Sequence, residues 1–159
     1  MPLKLSYTLL FVLLFVSSGV VHAGSPKLLE TLPVVDVFPL VEANACGCST
    51  YRKGSEMSLG NAVMSSFANS PTLVQTRIRM KSETVELAEV SQSKKKLIYV
   101  NRYRRNKIAL ENRFKEVSYQ QYCGEYADAP THGSCFIGTL DIASGVQKEK
   151  IPIATVCGC

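Results

Sequence analysis

Two Cys-Gly-Cys tripeptides, Cys46-Gly47-Cys48 and Cys157-Gly158-Cys159, hold four of the six cysteines in this 159-residue chain; the others are Cys123 and Cys135. Residues two apart in extended chain point to the same face, so each tripeptide offers two sulfurs to one neighbouring surface. Three chemistries use thiols so placed: disulfides, a thiolate metal site, and a redox pair. Zinc sites favour wider cysteine spacing and usually add histidine, and His132 is the only histidine beyond His22. An even cysteine count behind a secretory leader favours a disulfide framework. The reading is disulfides through Cys46, Cys48, Cys123, Cys135, Cys157 and Cys159, with the pairing left open.

The next chemistry is charge. The chain carries 18 Lys and Arg against 13 Asp and Glu, a surplus that favours acidic surfaces. It is densest at Lys94, Lys95, Lys96, Arg102, Arg104, Arg105 and Lys107, interleaved with Tyr99 and Tyr103. A heparan-sulfate-like polyanion is the expected partner of such a patch, against the plainer reading of a solvated strand face. Catalytic groupings are sparse. His132 lies in Pro130-Thr131-His132-Gly133 without an adjacent acid or nucleophile, and Glu125, Asp128 and Asp141 form no evident carboxylate pair. The expectation is a binding protein and not an enzyme, with no cofactor and no nucleic-acid partner.

The elements that must position these residues begin beyond a leader. Lys4, the apolar run Leu9 to Val16 and the small residues ending at Val21-His22-Ala23 have the parts of a cleavable signal peptide over 1–23. The run is short of the ~20 apolar residues of a membrane span, so the expected product is secreted and extracellular. Pro26, Pro33 and Pro39 break up 24–45, which reads as an extended leader or propeptide-like segment ahead of a domain over 46–159.

Within that domain Met57, Leu59, Val63, Met64 and Phe67 recur at three and four, which suits one short helix. After Leu73 the period becomes two. Val74 to Met80, Leu97 to Tyr103, Phe114 to Tyr122, Phe136 to Ile142 and Ile151 to Cys157 read as five strands, with Pro152 marking an edge or a strand start. Five short strands with turns between them indicate an all-β barrel or sandwich, and a five-stranded OB-type barrel fits the count.

Cys46-Gly47-Cys48, then Phe67-Ala68-Asn69 leading into Leu73-Val74-Gln75-Thr76-Arg77-Ile78, then Cys123-Gly124, Phe136-Ile137-Gly138-Thr139-Leu140, Gly145 and Ile153 to Cys157 together resemble, in order and spacing, the N-terminal netrin-like domain of the tissue inhibitors of metalloproteinases. Ala68 stands where that family has its third cysteine, and Gly47 where it usually has Ser or Thr. The resemblance implies a disulfide-stapled, five-stranded netrin-like OB barrel. It implies bonds from Cys46 to Cys123 and from Cys48 to Cys157, leaving Cys135 and Cys159 to join the last two strands.

It also implies a mechanism. In the family the first cysteine is the mature N-terminus, and its amine and carbonyl oxygen chelate the zinc of a metalloendopeptidase, displacing the water that the protease would activate. Here that role falls to Cys46, with Gly47 and Cys48 completing the inhibitory edge. It requires release of Cys46 at Ala43-Asn44-Ala45, an A-x-A cleavage motif. The expected partners are matrix-metalloproteinase-like zinc proteases. The alternative is a netrin-like extracellular module that binds polyanions or a receptor without inhibiting.

Overall fold

The computed structural model of the chain describes residues 27–37, 46–70, 73–124 and 133–158. Local backbone geometry sets the architecture. Met80 pairs with Glu83 across Lys81-Ser82, Lys95 with Ile98 across Lys96-Leu97, Arg105 with Ile108 across Asn106-Lys107, and Ser144 with Gln147 across Gly145-Val146. Two-residue turns need positive φ to match the twist of the flanking strands. Lys81, Ser82, Lys96, Asn106 and Gly145 supply it, with φ of 50°, 64°, 56°, 51° and 61°. Each such turn makes sequence neighbours into antiparallel sheet neighbours.

The strands are β1 (Cys46–Arg52), β2 (Ala62–Ser70), β3 (Leu73–Met80), β4 (Glu83–Lys95), β5 (Ile98–Arg105), β6 (Ile108–Val117), β7 (Gly133–Ser144) and β8 (Gln147–Gly158), with a short helix α1 (Tyr119–Tyr122) after β6. They follow one another around a closed barrel, and β1 completes it by pairing with β8 from Gly47 against Gly158 to Arg52 against Ile153. The all-β barrel with one short helix is therefore present. Its strand count is eight, not the five expected, and its order is a sequential meander in place of an OB-type Greek key. The helix expected between Met57 and Phe67 is the strand β2, preceded by a 3-10 turn at Leu59–Asn61. Ala62, Val63, Met64 and Ser65 are all buried, so the strand is covered on both faces and shows no alternation in sequence. Beyond Val117, the expected third strand gives way to α1.

The barrel interior is filled at one end by Met64, Ile78, Met80, Leu87, Leu110, Leu140, Ile142, Ile151 and Ile153. Leu28 and Leu29 belong to this same cluster, and Leu32 and Val37 to a second one with Tyr51, Ala62, Cys123, Cys135 and Val156. The stretch Leu28 to Val37, expected to lie outside the domain, thus contributes to its core. A charged clasp holds it. Glu149 Oε2 accepts from the Leu28 and Leu29 amides at 2.6 and 3.1 Å, Arg52 Nη1 donates to Glu149 Oε1 at 3.0 Å, and Arg52 Nη2 donates to the Leu29 carbonyl at 2.8 Å. The Glu30 amide donates to the Arg79 carbonyl at 2.9 Å, and the Leu32 amide to that of Ala62 at 2.7 Å.

Among the described residues no helix is long and apolar enough to cross a membrane. On β3 to β6, Arg77 pairs with Glu86, and both Arg102 and Arg113 with Glu111. These residues lie on the strand face opposite the core, which differs from the apolar outer band of a membrane barrel.

Candidate functional site

Strand alternation and the register place both residues of every second pair inside the barrel. At the end opposite the leader this inner face is not filled with aliphatic side chains. Cys46, Cys48, Met64, Ser66, Gln92, Tyr99, Asn101, Tyr103, Asn112, Phe114, Ser134, Phe136, Thr155 and Cys157 line a cavity of about 420 Å³. Barrels of eight strands have interiors just wide enough to be packed by side chains or to hold one small ligand, and this one divides its length between the two.

The wall changes character with depth. Nearest the mouth, Tyr99 stacks on Phe114 with ring centroids 5.4 Å apart, and Phe136 stands edge-on to both at 6.1 and 5.1 Å. Register brings them together: Tyr99 opposes Phe114, which opposes Gly138 beside Phe136. Gly138 has a steric reason, since a Cβ there would lie 1.9 Å from the Arg113 carbonyl oxygen. Across the mouth the Cys48–Cys157 disulfide joins the two strands that close the barrel, with Cα atoms 4.0 Å apart. Lys94 Nζ sits 4.6 Å from the Tyr99 ring centroid and donates to its hydroxyl at 2.7 Å. Ser134 Oγ donates to Glu116 Oε1 at 3.2 Å. The rim therefore carries the Lys94 ammonium and the Glu116 carboxylate, with Lys95 and Lys96 at the same end of β4.

Deeper, the wall is polar. Asn101 opposes Asn112, and Glu89 opposes Tyr103 one step further in. Asn101 Nδ2 donates to the Tyr103 hydroxyl at 3.3 Å, and the Ser66 and Thr76 hydroxyls are 3.0 Å apart. Asn112 is 3% exposed, yet its Oδ1 has no hydrogen-bond partner; Asn101 Oδ1 and Glu89 Oε1 are likewise buried without one. Desolvation pushes the Glu89 carboxyl above its ordinary range. Desolvation also raises the Tyr103 phenol, against hydrogen bonds from Asn101, Thr76 and Ser66 that lower it, while the Glu89 charge adds to the rise.

The cysteines keep one of the three implied bonds and are otherwise paired differently. Cys46 and Cys48 do share the inner face, and the Cys48–Cys157 bond is present. The Cys46–Cys123 and Cys135–Cys159 bonds are not formed, because Cys123 is bonded to Cys135, with Cα atoms 6.1 Å apart. The reason is local: α1 ends at Cys123, packed against β7, and only 12 residues separate the two sulfurs' parents. Cys46 is itself disulfide-bonded, to a cysteine other than these four. His132 and Cys159 lie outside the described residues.

The basic residues are dispersed. Lys94, Lys95 and Lys96 stand at the mouth end of β4, whereas Arg104, Arg105 and Lys107 stand at the far end of β5. At ~3.3 Å per residue the two groups are about 25 Å apart. Arg102 lies between them, donating to Glu111 at 2.6 Å. Arg113 also donates to Glu111, and these hydrogen bonds hold its carboxyl below the ordinary range. Among the described residues no three of His, Cys, Asp and Glu are grouped to hold a metal.

The fold and site define a class: a closed eight-stranded meander barrel, plugged at one end by its own N-terminal segment and hollow at the other. No protein-family model, curated protein or solved structure matches the chain.

Proposed function

We propose that this protein is a secreted small-molecule carrier or sensor that takes its ligand into the mouth of the barrel. The carrying observation is Asn112, nine-tenths and more buried on the cavity wall with its Oδ1 unpartnered. A buried polar atom left so costs about 1–3 kcal/mol, and the cavity beside it lies within the ~300–1,000 Å³ range of ligand pockets. The apolar rings above it supply contact area for the ligand's body. The disulfides fit the oxidising compartment that the signal-like N-terminus suggests.

Saturable 1:1 enhancement of the fluorescence of the uncharged naphthalene dye N-phenyl-1-naphthylamine tests the reading. It is expected in the native protein and lost in Ser134→Trp, which fills the mouth. Enhancement unchanged by that substitution would place the dye elsewhere and defeat it.

Inhibition of zinc proteases through Cys46 asks for a free amine on a residue whose strand is paired on both sides, with Cys46 opposite Ala68 and Gly47 opposite Gly158. N-terminal sequencing of the secreted protein tests it; a start before Cys46 removes the chelating amine. The polyanion reading draws no support from the divided basic residues.

A further inference from the structure

The cavity's polar floor specifies more than a ligand of suitable size. We infer that the ligand is a small organic cation, a protonated amine on a flat apolar body, bound with its ammonium inward. This deepens the proposed binding function and rests on it.

The argument is one of unmet acceptors. Three buried oxygens on neighbouring strands lack partners: Asn101 Oδ1 on β5 and Asn112 Oδ1 on β6, both in the cavity wall, and Glu89 Oε1 on β4, opposite Tyr103 of that wall. An ammonium has three donors and no acceptor, so it answers a cluster of acceptors without leaving an orphan of its own. A carboxylate head would add acceptors to acceptors and meet the Glu89 charge. An alkyl tail would leave the oxygens as they are. Glu89 brings a carboxylate beside this polar wall, opposite Tyr103.

Orientation follows from the gradient along the barrel. Tyr99, Phe114 and Phe136 occupy the mouth half, where a flat body stacks or packs edge-on. At the rim the Lys94 ammonium is already engaged by the Tyr99 ring and hydroxyl. Glu116, which accepts from Ser134, brings a carboxylate to the same end. Charge selection therefore falls to the floor. Because charge-assisted hydrogen bonds are roughly twice as strong as neutral ones, the ammonium should discriminate sharply from a neutral isostere.

Three ligands of one shape test this by calorimetry on the full disulfide-bonded protein: tryptamine, the neutral tryptophol, and the anionic indole-3-acetate. Tryptamine is expected to bind at least about tenfold more tightly than tryptophol, and indole-3-acetate most weakly. Glu89→Gln and Asn112→Leu should each bring the tryptamine-to-tryptophol ratio toward one. Phe136→Ala should weaken both ligands together. Tryptophol binding as well as tryptamine, or tryptamine failing while the naphthalene dye still binds in the mouth, overturns the cation inference and leaves the binding reading standing. Failure of all three ligands and of the dye, in protein with native circular dichroism, defeats both.

Discussion

Glu149 is the residue on which the closed end of the barrel turns. Its two oxygens serve the Leu28 and Leu29 amides and Arg52, and Arg52 reaches on to the Leu29 carbonyl. Removing the carboxylate leaves a half-buried guanidinium and two amides short of partners at once. Glu149→Ala should cost about 2–3 kcal/mol, read as a lower urea midpoint with an unchanged slope; a midpoint within error of the parent would refute the clasp. Glu111 makes a pH-dependent contribution. Hydrogen bonds from Arg113 and Arg102 depress its folded pKa. Its stabilising effect is therefore complete above the unfolded value near ~4.3 and fades as pH falls through the lower folded value. Glu111→Gln should lower stability at neutral pH and flatten the acid limb of the stability profile below about pH 4.3. An acid limb of the same steepness in the variant would count against this. Glu89 runs the other way, its carboxyl raised by burial, so amine binding should strengthen as pH rises through its titration.

At the scale of elements, the hairpin turns and the β6–β7 contact make separate demands. Lys81 and Ser82 hold positive φ without being glycine or asparagine, which side chains accept at a cost. Lys81→Asn with Ser82→Gly keeps the Ser82 amide that donates to Glu30 and should raise stability by about 0.5–1 kcal/mol, visible as a higher melting temperature. A lower one would mean that these side chains do more than turn. Gly138 allows no such freedom: Gly138→Ala must push β6 away from β7, and a loss of about 1–3 kcal/mol is expected. The strands legible in the sequence are those with one wet face and one dry face, such as Gln75 to Met80 and Phe136 to Ile142. Where both faces are buried, as in β2, or both are exposed, as in β4 from Ser91 to Lys95, period two disappears and the strand is missed. Missing β1, β2 and β4 is what turned an eight-stranded meander into five strands. Phe114 and Phe136 are legible in the sequence as strand residues. Their meeting with Tyr99, Asn101 and Asn112 in a cavity depends on register, which local pattern does not encode.

For the whole molecule, the question is what the N-terminal segment does. Proline spacing correctly marked Lys27 to Val37 as lacking a regular element other than a 3-10 turn at Val34–Asp36. That composition says nothing of where the apolar residues between the prolines go. Leu28, Leu29, Leu32 and Val37 are all 6% exposed or less, and burying such a side chain is worth ~1.5–3 kcal/mol. Their combined removal is comparable to the ~5–15 kcal/mol that hold an entire domain. A chain beginning at Cys46 should therefore be expanded, with a broad thermal transition and increased proteolysis, and a peptide spanning 27–37 added in trans should restore part of the loss. If the shortened chain melts like the parent, the segment is a covering and not a plug. The same result bears on Cys46. A terminus there is compatible with this barrel only when cleavage follows folding and the severed segment stays in place, since Leu28 and Leu29 close the end of the barrel opposite the ligand mouth.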